Sequence, residues 1–150
     1  MSLYTEEHRL FQESIRKFAV AEILPELKSW EDNCHFPSEL FQKLGSNGFL
    51  GVLIPEEWGG VGGDYTLASA WCEEFGRVPA VGLTVAVNMH SLVITPALAR
   101  LGSTLAKEKW LRKAVDGTAI GAYAFTEPGA GSDLTFVQTK AVKDDGGYLL

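Results

Sequence analysis

The chain has 150 residues, of which 46% are hydrophobic and 21% charged, and its formal net charge is −6. These values are typical of a globular protein and exclude a disordered polypeptide. The negative charge argues against nucleic acid or an anionic membrane surface as the main partner, because both attract a positively charged face. No apolar run approaches the roughly 20 residues of a membrane-spanning helix, so we predict no membrane span.

Residues that could form disulfides or bind metals are few. Cys34 and Cys72 form no CxxC pair, which predicts free thiols in a reduced, intracellular chain. The three histidines, His8, His35 and His90, lack the spacing of metal ligands. We therefore predict no metal site.

The N-terminal part of the chain has helical periodicity. Thr5 is a predicted N-cap, and apolar residues follow at helical spacing until Pro25 ends or kinks the helix. A shorter helix is predicted over 38–45. A glycine-rich segment, 49–65, comes next.

Four further helices are predicted before residue 118. The first follows the N-cap Asp64 and stops near Gly76. Residues 81–93 alternate β-branched side chains like a strand, but their position between helices favours a buried helix, which we predict.

Thr95 and Pro96 predict a new helix start, with Gly102 just past its end. Ser103 is then the predicted cap of a lysine-rich helix that closes at Gly117.

After Gly117 the hydrophobic period changes from about four to two. This predicts strands over 119–126 and 135–143, and the "DDGG" at 144–147 predicts a hairpin turn before a returning strand. The expected fold class is mainly α: an all-helical domain, residues 1–117, followed by the start of a β domain, residues 118–150. We expect the rest of that β domain to lie beyond the last residue.

The stretch "YAFTEPGAGSD", residues 123–133, contains the most informative glycines. The dinucleotide fingerprint would need a third glycine where this chain has Leu134. A Walker loop would need a Gly-Lys-Ser/Thr triplet, which is absent from the sequence. Both nucleotide-binding motifs are therefore excluded.

The same stretch nevertheless suits a ligand. Gly129 and Gly131 permit positive φ and a close approach to the backbone, and Ser132 adds a hydroxyl. Backbone N–H groups that no helix or ladder uses could then meet a phosphate or a polar ring edge. An ordinary β-turn with a glycine bulge is the alternative.

"TEPGAGSD" after an apolar strand resembles the first signature of the acyl-CoA dehydrogenase family. The chain departs from that signature at Phe125, where an aliphatic residue is usual, and at Phe136, where a small one is expected. "IPEEWGGVGGD" and "EEFGR" also resemble this family's loop and following helix. The resemblance implies a helical N-terminal domain followed by an antiparallel β-barrel domain, with FAD bound between the β and helical domains.

The resemblance further implies which residues contact FAD. The backbone around Phe125 and the hydroxyl of Thr126 would meet the flavin ring, and Gly131 and Ser132 would lie at the pyrophosphate, with Ser132 also near the CoA of the substrate. The full set of implied FAD contacts is Tyr123, Ala124, Phe125, Thr126, Gly131 and Ser132.

The implied reaction is oxidation of acyl-CoA thioesters to 2,3-enoyl-CoA with hydride transfer to FAD. The family's usual base is a glutamate beyond residue 150, so no catalytic residue is assigned here. Glu127 is interpreted as a residue of turn geometry and local hydrogen bonding. His90 is a candidate substrate contact, with a satisfied core histidine as the favoured alternative.

The resemblance also implies partners and location. It implies an electron-transfer flavoprotein or similar acceptor, a homo-oligomer (tetramer or dimer), and a cytoplasmic location, or the mitochondrial matrix in a eukaryote.

Two other hypotheses for the function stay open. One is a same-fold relative with different flavin chemistry, such as an acyl-CoA oxidase, a nitroalkane oxidase or a monooxygenase-type enzyme. The other is a non-catalytic helical module that binds partners.

Overall fold

A computed structural model describes residues 3–150, and the chain is mainly α-helical with a short antiparallel hairpin at its C-terminal end. This confirms the predicted fold class. The α-helices of the described residues are α1 (Glu6–Phe18), α2 (Leu27–Asp32), α3 (Glu39–Ser46), α4 (Tyr65–Phe75), α5 (Val81–Asn88), α6 (Thr95–Leu101) and α7 (Thr104–Val115), with π-helical turns at Ala19–Ile23 and Met89–Ile94, 3-10 turns at Glu56–Trp58 and Leu134–Phe136, and strands β1 (Val142–Asp144) and β2 (Gly147–Leu149).

The predicted helix caps are confirmed in the structure. The Thr5 hydroxyl accepts the His8 N–H while His8 Nδ1 accepts the Thr5 N–H, so the first turn of α1 is closed in both directions. The Asp64 carboxylate accepts two N–H groups of α4, at 2.9 Å each, and the Ser103 hydroxyl accepts an N–H of α7. These contacts satisfy N–H groups that a helix start leaves without a backbone partner.

Helix α2 is an element that the sequence did not predict. It has six residues, and no side chain caps its first turn. Its half-buried Leu27 and Trp30 pack against the main core instead. A helix this short is stabilised by tertiary packing rather than by local propensity, and local propensity is all that the sequence pattern reports.

The predicted helix over 81–93 is confirmed, but the predicted new start at Thr95 is wrong. Helix α5, the π turn and α6 form one continuous helix, Val81–Leu101. Pro96 lacks an N–H, and its ring would collide with a carbonyl in a regular α-helix. The wider π turn immediately before it lets the chain pass the proline without stopping the helix.

This continuous helix is long enough to cross a membrane, although the sequence has no uninterrupted apolar run of that length. The helix has 21 residues, and an 18-residue stretch of it has a mean hydropathy of 1.5, which meets the length and composition criterion for a span. Core helices of globular proteins meet the same criterion. In this chain the polar His90, Ser91 and Thr95 are buried at mid-helix, and α6 packs against α7, as expected of a helix inside a bundle.

The core lies where α1, α3, α4 and the long helix meet. Trp71, fully buried, stacks on Phe75 at 4.5 Å between ring centroids, and its indole N–H donates to the Phe49 carbonyl at 2.9 Å. Arg16 of α1 donates twice to the buried carboxylate of Glu74 of α4, at 2.8 and 2.9 Å. The pair gives the buried charge a partner and fixes the register of these two helices.

The C-terminal part differs from the predicted strands. The predicted strand over 119–126 is wrong, because these residues run without a ladder partner in the described part of the chain, and of 135–143 only Val142 and Lys143 fall in a strand. The predicted hairpin is confirmed, with Val142 opposite Leu149 and Asp144 opposite Gly147. A strand needs a neighbour for its hydrogen bonds, and the alternating pattern does not supply one.

The turn after α7 lies directly against α3. Gly117 has φ +78°, and a Cβ there would come within 2.1 Å of the Phe41 carbonyl oxygen. A Cβ at Gly45 would likewise collide with the backbone of Asp116. Backbone touches backbone at this point, which fixes the direction in which the chain leaves the helices.

We predict that Gly117→Ala destabilises the protein by roughly 2 kcal/mol or more, because the new methyl group meets both a disfavoured φ and the Phe41 carbonyl. Gly82→Ala is the control. Gly82 is exposed within α5 and has open space around it, so we expect a gain of about 0.5–1 kcal/mol. Urea unfolding followed by circular dichroism measures both. Equal stability of the two variants would contradict the close contact.

Candidate functional site

The residues after Gly121 form an exposed, extended segment. Tyr123 and Phe125, two positions apart, point to the same side, and their rings stack at 4.0 Å between centroids. The two side chains are 40% and 48% exposed, so the stack presents a flat aromatic surface to solvent. Aromatic faces of this kind bind other planar groups.

The backbone of this segment has free hydrogen-bonding groups. Within the described residues, none of the N–H groups of residues 122–126 donates to another part of the chain. Free backbone donors beside an aromatic surface suit a ligand that has both a planar ring and polar atoms at its edge.

The turn that follows is tight and open to solvent. Glu127 and Ala130 exchange both backbone hydrogen bonds at 3.0 Å, which leaves Pro128 and Gly129 at the tip. Neither Gly129 nor Gly131 has a positive φ, contrary to one expected use of these glycines. A Cβ at either position would meet nothing within 4 Å, so the space beside the backbone is available to a ligand.

Ser132 is exposed beside Gly131, as the ligand interpretation requires. The carboxylate of the next residue, Asp133, accepts hydrogen bonds from the N–H and the hydroxyl of Thr135 in the same loop, at 2.9 and 2.6 Å. The Thr135 hydroxyl, followed by its N–H, holds the pKa of Asp133 below its usual range. The carboxylate is thereby committed to the loop.

Glu127 fastens the two ends of this loop together. Its carboxylate accepts hydrogen bonds from the Gln138 N–H, from the Thr139 N–H at 3.2 Å, and from the Thr139 hydroxyl. The Thr139 hydroxyl and the Gln138 N–H lower the pKa of Glu127. This agrees with the interpretation of Glu127 as a residue of loop geometry. Sequence reasoning did not identify Thr139 as its partner, because no local pattern marks a pair twelve positions apart.

His90 is fully buried between α7 and the start of the extended segment. Its Nε2 lies 2.8 Å from the Ala114 carbonyl, and its Nδ1 accepts the Gly121 N–H at 3.0 Å. Both ring nitrogens are therefore used, as the core-histidine alternative requires. Its role as a substrate contact stays a prediction. Sequence reasoning did not single out Gly121.

The structure thus brings Tyr123, Ala124, Phe125 and Thr126 together on one extended segment, with Gly131 and Ser132 beyond the turn. These residues form a single open wall rather than a closed pocket. Within the described residues no cluster of His, Cys, Asp or Glu has metal-binding geometry. An extended wall with free backbone groups, stacked rings and a glycine-lined turn suits a ligand that combines a planar ring with polar or phosphate groups.

The chain matches the family model "Acyl-CoA dehydrogenase, N-terminal domain" over residues 5–118. It is 38% identical over 150 residues to the long-chain specific acyl-CoA dehydrogenase, mitochondrial, of Sus scrofa. That alignment covers 99% of this chain and 34% of the relative. The chain therefore spans about a third of the length of this curated relative.

Solved structures share the fold. An acyl-CoA dehydrogenase from Geobacillus kaustophilus has a TM-score of 0.88 and 39% identity, over 97% of this chain and 38% of the other. An acyl-CoA dehydrogenase from Bacillus anthracis, solved in complex with FAD, has a TM-score of 0.86 and 32% identity, over 96% of this chain and 25% of the other.

We predict that Glu127→Gln loosens the loop, because an amide nitrogen would face donors that the carboxylate now accepts. The amides of Gln138 and Thr139 should exchange with solvent roughly tenfold faster at neutral pH, as measured by NMR. Glu108→Gln, at an exposed position of α7, is the matched control and should leave both amides unchanged. Unchanged exchange of both amides in Glu127→Gln would show that the Glu127 carboxylate does not hold the two ends of the loop together.

We also predict that part of the stability depends on His90 staying neutral. Burial lowers the pKa of His90 below its ordinary 6.5, and the hydrogen bond to Ala114 only partly opposes this. The unfolded chain then binds the proton more readily, so this contribution is complete above pH 6.5 and is lost as the pH falls towards the lowered pKa of the folded state.

The free energy of unfolding measured in urea between pH 7.5 and 5 should therefore fall more steeply for the wild type than for His90→Asn. The control His35→Gln, at an exposed position, should keep the wild-type slope. Parallel profiles for wild type and His90→Asn would show that His90 does not stay neutral in the folded chain.

Proposed function

Because the chain belongs to the acyl-CoA dehydrogenase family, we propose that it forms the N-terminal part of an FAD-dependent enzyme that oxidises acyl-CoA thioesters to 2,3-enoyl-CoA. The observation that carries the proposal is the exposed segment Tyr123–Ser132, which has free backbone N–H groups, a stacked aromatic pair and an open glycine turn. These features support a cofactor-binding role better than that of a purely structural turn, whose backbone groups would be paired within the protein.

The proposed organisation has two domains. Residues 1–117 form the helical domain, and residues 118–150 begin the β domain, with the change at Gly117, where the backbone leaves α3 and α7. This division places the proposed FAD contacts immediately after the helices. The rigid bundle can therefore orient them.

In the proposed site, the backbone of Tyr123, Ala124 and Phe125 and the hydroxyl of Thr126 bind the flavin ring. The N–H groups of Gly131 and Ser132 bind the pyrophosphate, which the open space beside Gly131 allows to approach the backbone. FAD supplies the two-electron acceptor for the reaction, which the protein's own side chains cannot provide. These residues bind and orient the cofactor.

The acyl-CoA would lie against the same wall, with Ser132 near its CoA portion. We assign no catalytic base within residues 1–150 and propose that a carboxylate from a C-terminal helical domain removes the α proton. Glu127 is unsuited to that task, because Gln138 and Thr139 already hold its carboxylate. The wall described here therefore binds and orients, and the chemistry needs groups from elsewhere in the enzyme.

The remaining proposals concern partners and location. We propose an electron-transfer flavoprotein or similar protein as the electron acceptor and a tetramer or dimer as the assembled enzyme. The proposed location is the cytoplasm, or the mitochondrial matrix in a eukaryote. The name of the porcine relative, which includes the word mitochondrial, supports the second of these locations.

The function is tested by the visible absorption spectrum of the full-length gene product before and after anaerobic addition of a panel of acyl-CoAs. We expect flavin bands that bleach with at least one of them, and the acyl-CoA that bleaches them identifies the chain-length class. Flavin bands that every acyl-CoA leaves unchanged would favour a relative with other flavin chemistry, such as an oxidase or monooxygenase. A folded protein without flavin would favour the helical binding module.

We predict that the 150-residue chain alone binds FAD weakly or not at all, because its wall is open on one side and buries little of the cofactor. Equilibrium dialysis or fluorescence titration of the purified chain measures this. A stoichiometric flavin complex of the 150-residue chain would contradict it.

We predict that Thr126→Val in the full-length gene product weakens FAD binding about tenfold, because it removes the proposed hydrogen bond to the ring. Thr104→Val, at an exposed position at the start of α7, is the matched control and should bind FAD like the wild type. Equal FAD affinity in both variants would remove Thr126 from the proposed site.

A further inference from the structure

His90 connects three parts of the fold that are distant in sequence. It lies in the π turn of the long helix with no exposed surface, and its ring packs edge-to-face with that of Phe41 from α3, at 5.4 Å between centroids and 87° between planes. Its two nitrogens meet Ala114 near the end of α7 and Gly121 in the segment that follows. Contacts with Phe41, Ala114 and Gly121 therefore fix the position of the ring.

These hydrogen bonds determine which nitrogen carries the proton. A backbone carbonyl can only accept, so Nε2 must donate to the Ala114 oxygen at 2.8 Å. A backbone N–H can only donate, so Nδ1 must accept from Gly121 at 3.0 Å. His90 is therefore the neutral tautomer with its proton on Nε2. Protonation of Nδ1 would break the contact with Gly121.

Gly121 is held as closely as its backbone allows. A Cβ at this position would lie 2.5 Å from Cγ2 of Ile94, a neighbour of His90 on the same helix. Among the described residues, none after Gly121 forms a hydrogen bond with the helices. The Gly121 N–H to His90 bond is thus the last polar anchor before the segment Tyr123–Ser132.

We propose that His90 is a positioning residue for the cofactor-binding segment: by accepting the Gly121 N–H it sets the direction in which residues 122–126 leave the helices. The consequence for FAD rests on the function proposed above, whereas the anchoring itself does not. Tyr123 follows Gly121 by only two residues, so a rotation of the backbone at Gly121 displaces the proposed flavin contacts directly.

The contact is tested first in the wild-type 150-residue chain by NMR. We expect ¹⁵N shifts of a neutral His90 with Nδ1 unprotonated, a slowly exchanging Gly121 amide, and a scalar coupling between the Gly121 nitrogen and Nδ1 across the hydrogen bond. A proton on Nδ1, or a Gly121 amide that exchanges as fast as the exposed amide of Gly146, would overturn the proposal.

Two variants then separate anchoring from general stability. In His90→Asn the amide oxygen can take the place of Nδ1 and accept the Gly121 N–H, whereas in His90→Gln the amide nitrogen can take the place of Nε2 and donate to Ala114. Each variant keeps one of the two hydrogen bonds. A role in stability alone predicts similar effects of both, and a positioning role predicts different ones.

We expect Gly121 exchange about tenfold faster in His90→Gln than in His90→Asn, although their unfolding midpoints are similar. In the full-length gene product, FAD should bind several-fold more weakly to His90→Gln than to His90→Asn. Equal Gly121 exchange in the two variants, or equal FAD affinity despite unequal exchange, would overturn the positioning role. A wild-type gene product that binds no flavin would refute the proposed function, while Gly121 exchange would still decide the anchoring.

Discussion

Residues 117–121 lie so close to the helices that the backbone has no freedom in how it leaves them. Gly117 presses against the Phe41 carbonyl, and Gly121 lies against Ile94 and donates to His90. Neither position has room for a side chain. These contacts fix the position and direction in which the following segment leaves the helical bundle. The proposed site depends on it because that segment has no other polar contact with the helices within the described residues.

The sequence predicted the elements whose boundaries depend on local chemistry. Thr5, Asp64 and Ser103 cap the helices that they were expected to cap, and Gly76 and Gly117 lie at predicted ends. What escaped prediction depends on residues far apart in the chain. Packing of Trp30 stabilises α2 without a cap, and a π turn carries the long helix past Pro96. Residues 119–126 have the alternating hydrophobic pattern of a strand, but within the described residues no neighbouring strand pairs with them.

The location of the candidate site was evident from the glycine-rich motif, but its supports were not. Residues 123–132 follow from the sequence and its family resemblance. The Glu127 carboxylate binds Thr139, which is 12 residues away in the sequence. His90 binds the N–H of Gly121, which is 31 residues away. The glycines also differ from expectation, because Gly129 and Gly131 provide open space rather than a positive φ. The proposed ligand contacts thus come from the motif, and their supports come partly from motif residues such as Glu127 and partly from distant ones such as His90.

The central claim is that residues 123–132 form one wall of a flavin site. Hydrogen–deuterium exchange of the full-length gene product, with and without bound FAD, tests it most directly. If residues 123–132 form this wall, FAD will slow exchange across peptides covering 123–132 and leave the hairpin at 142–149 less affected. Unchanged exchange at 123–132 in a protein fully loaded with flavin would place the cofactor elsewhere and contradict the proposed site.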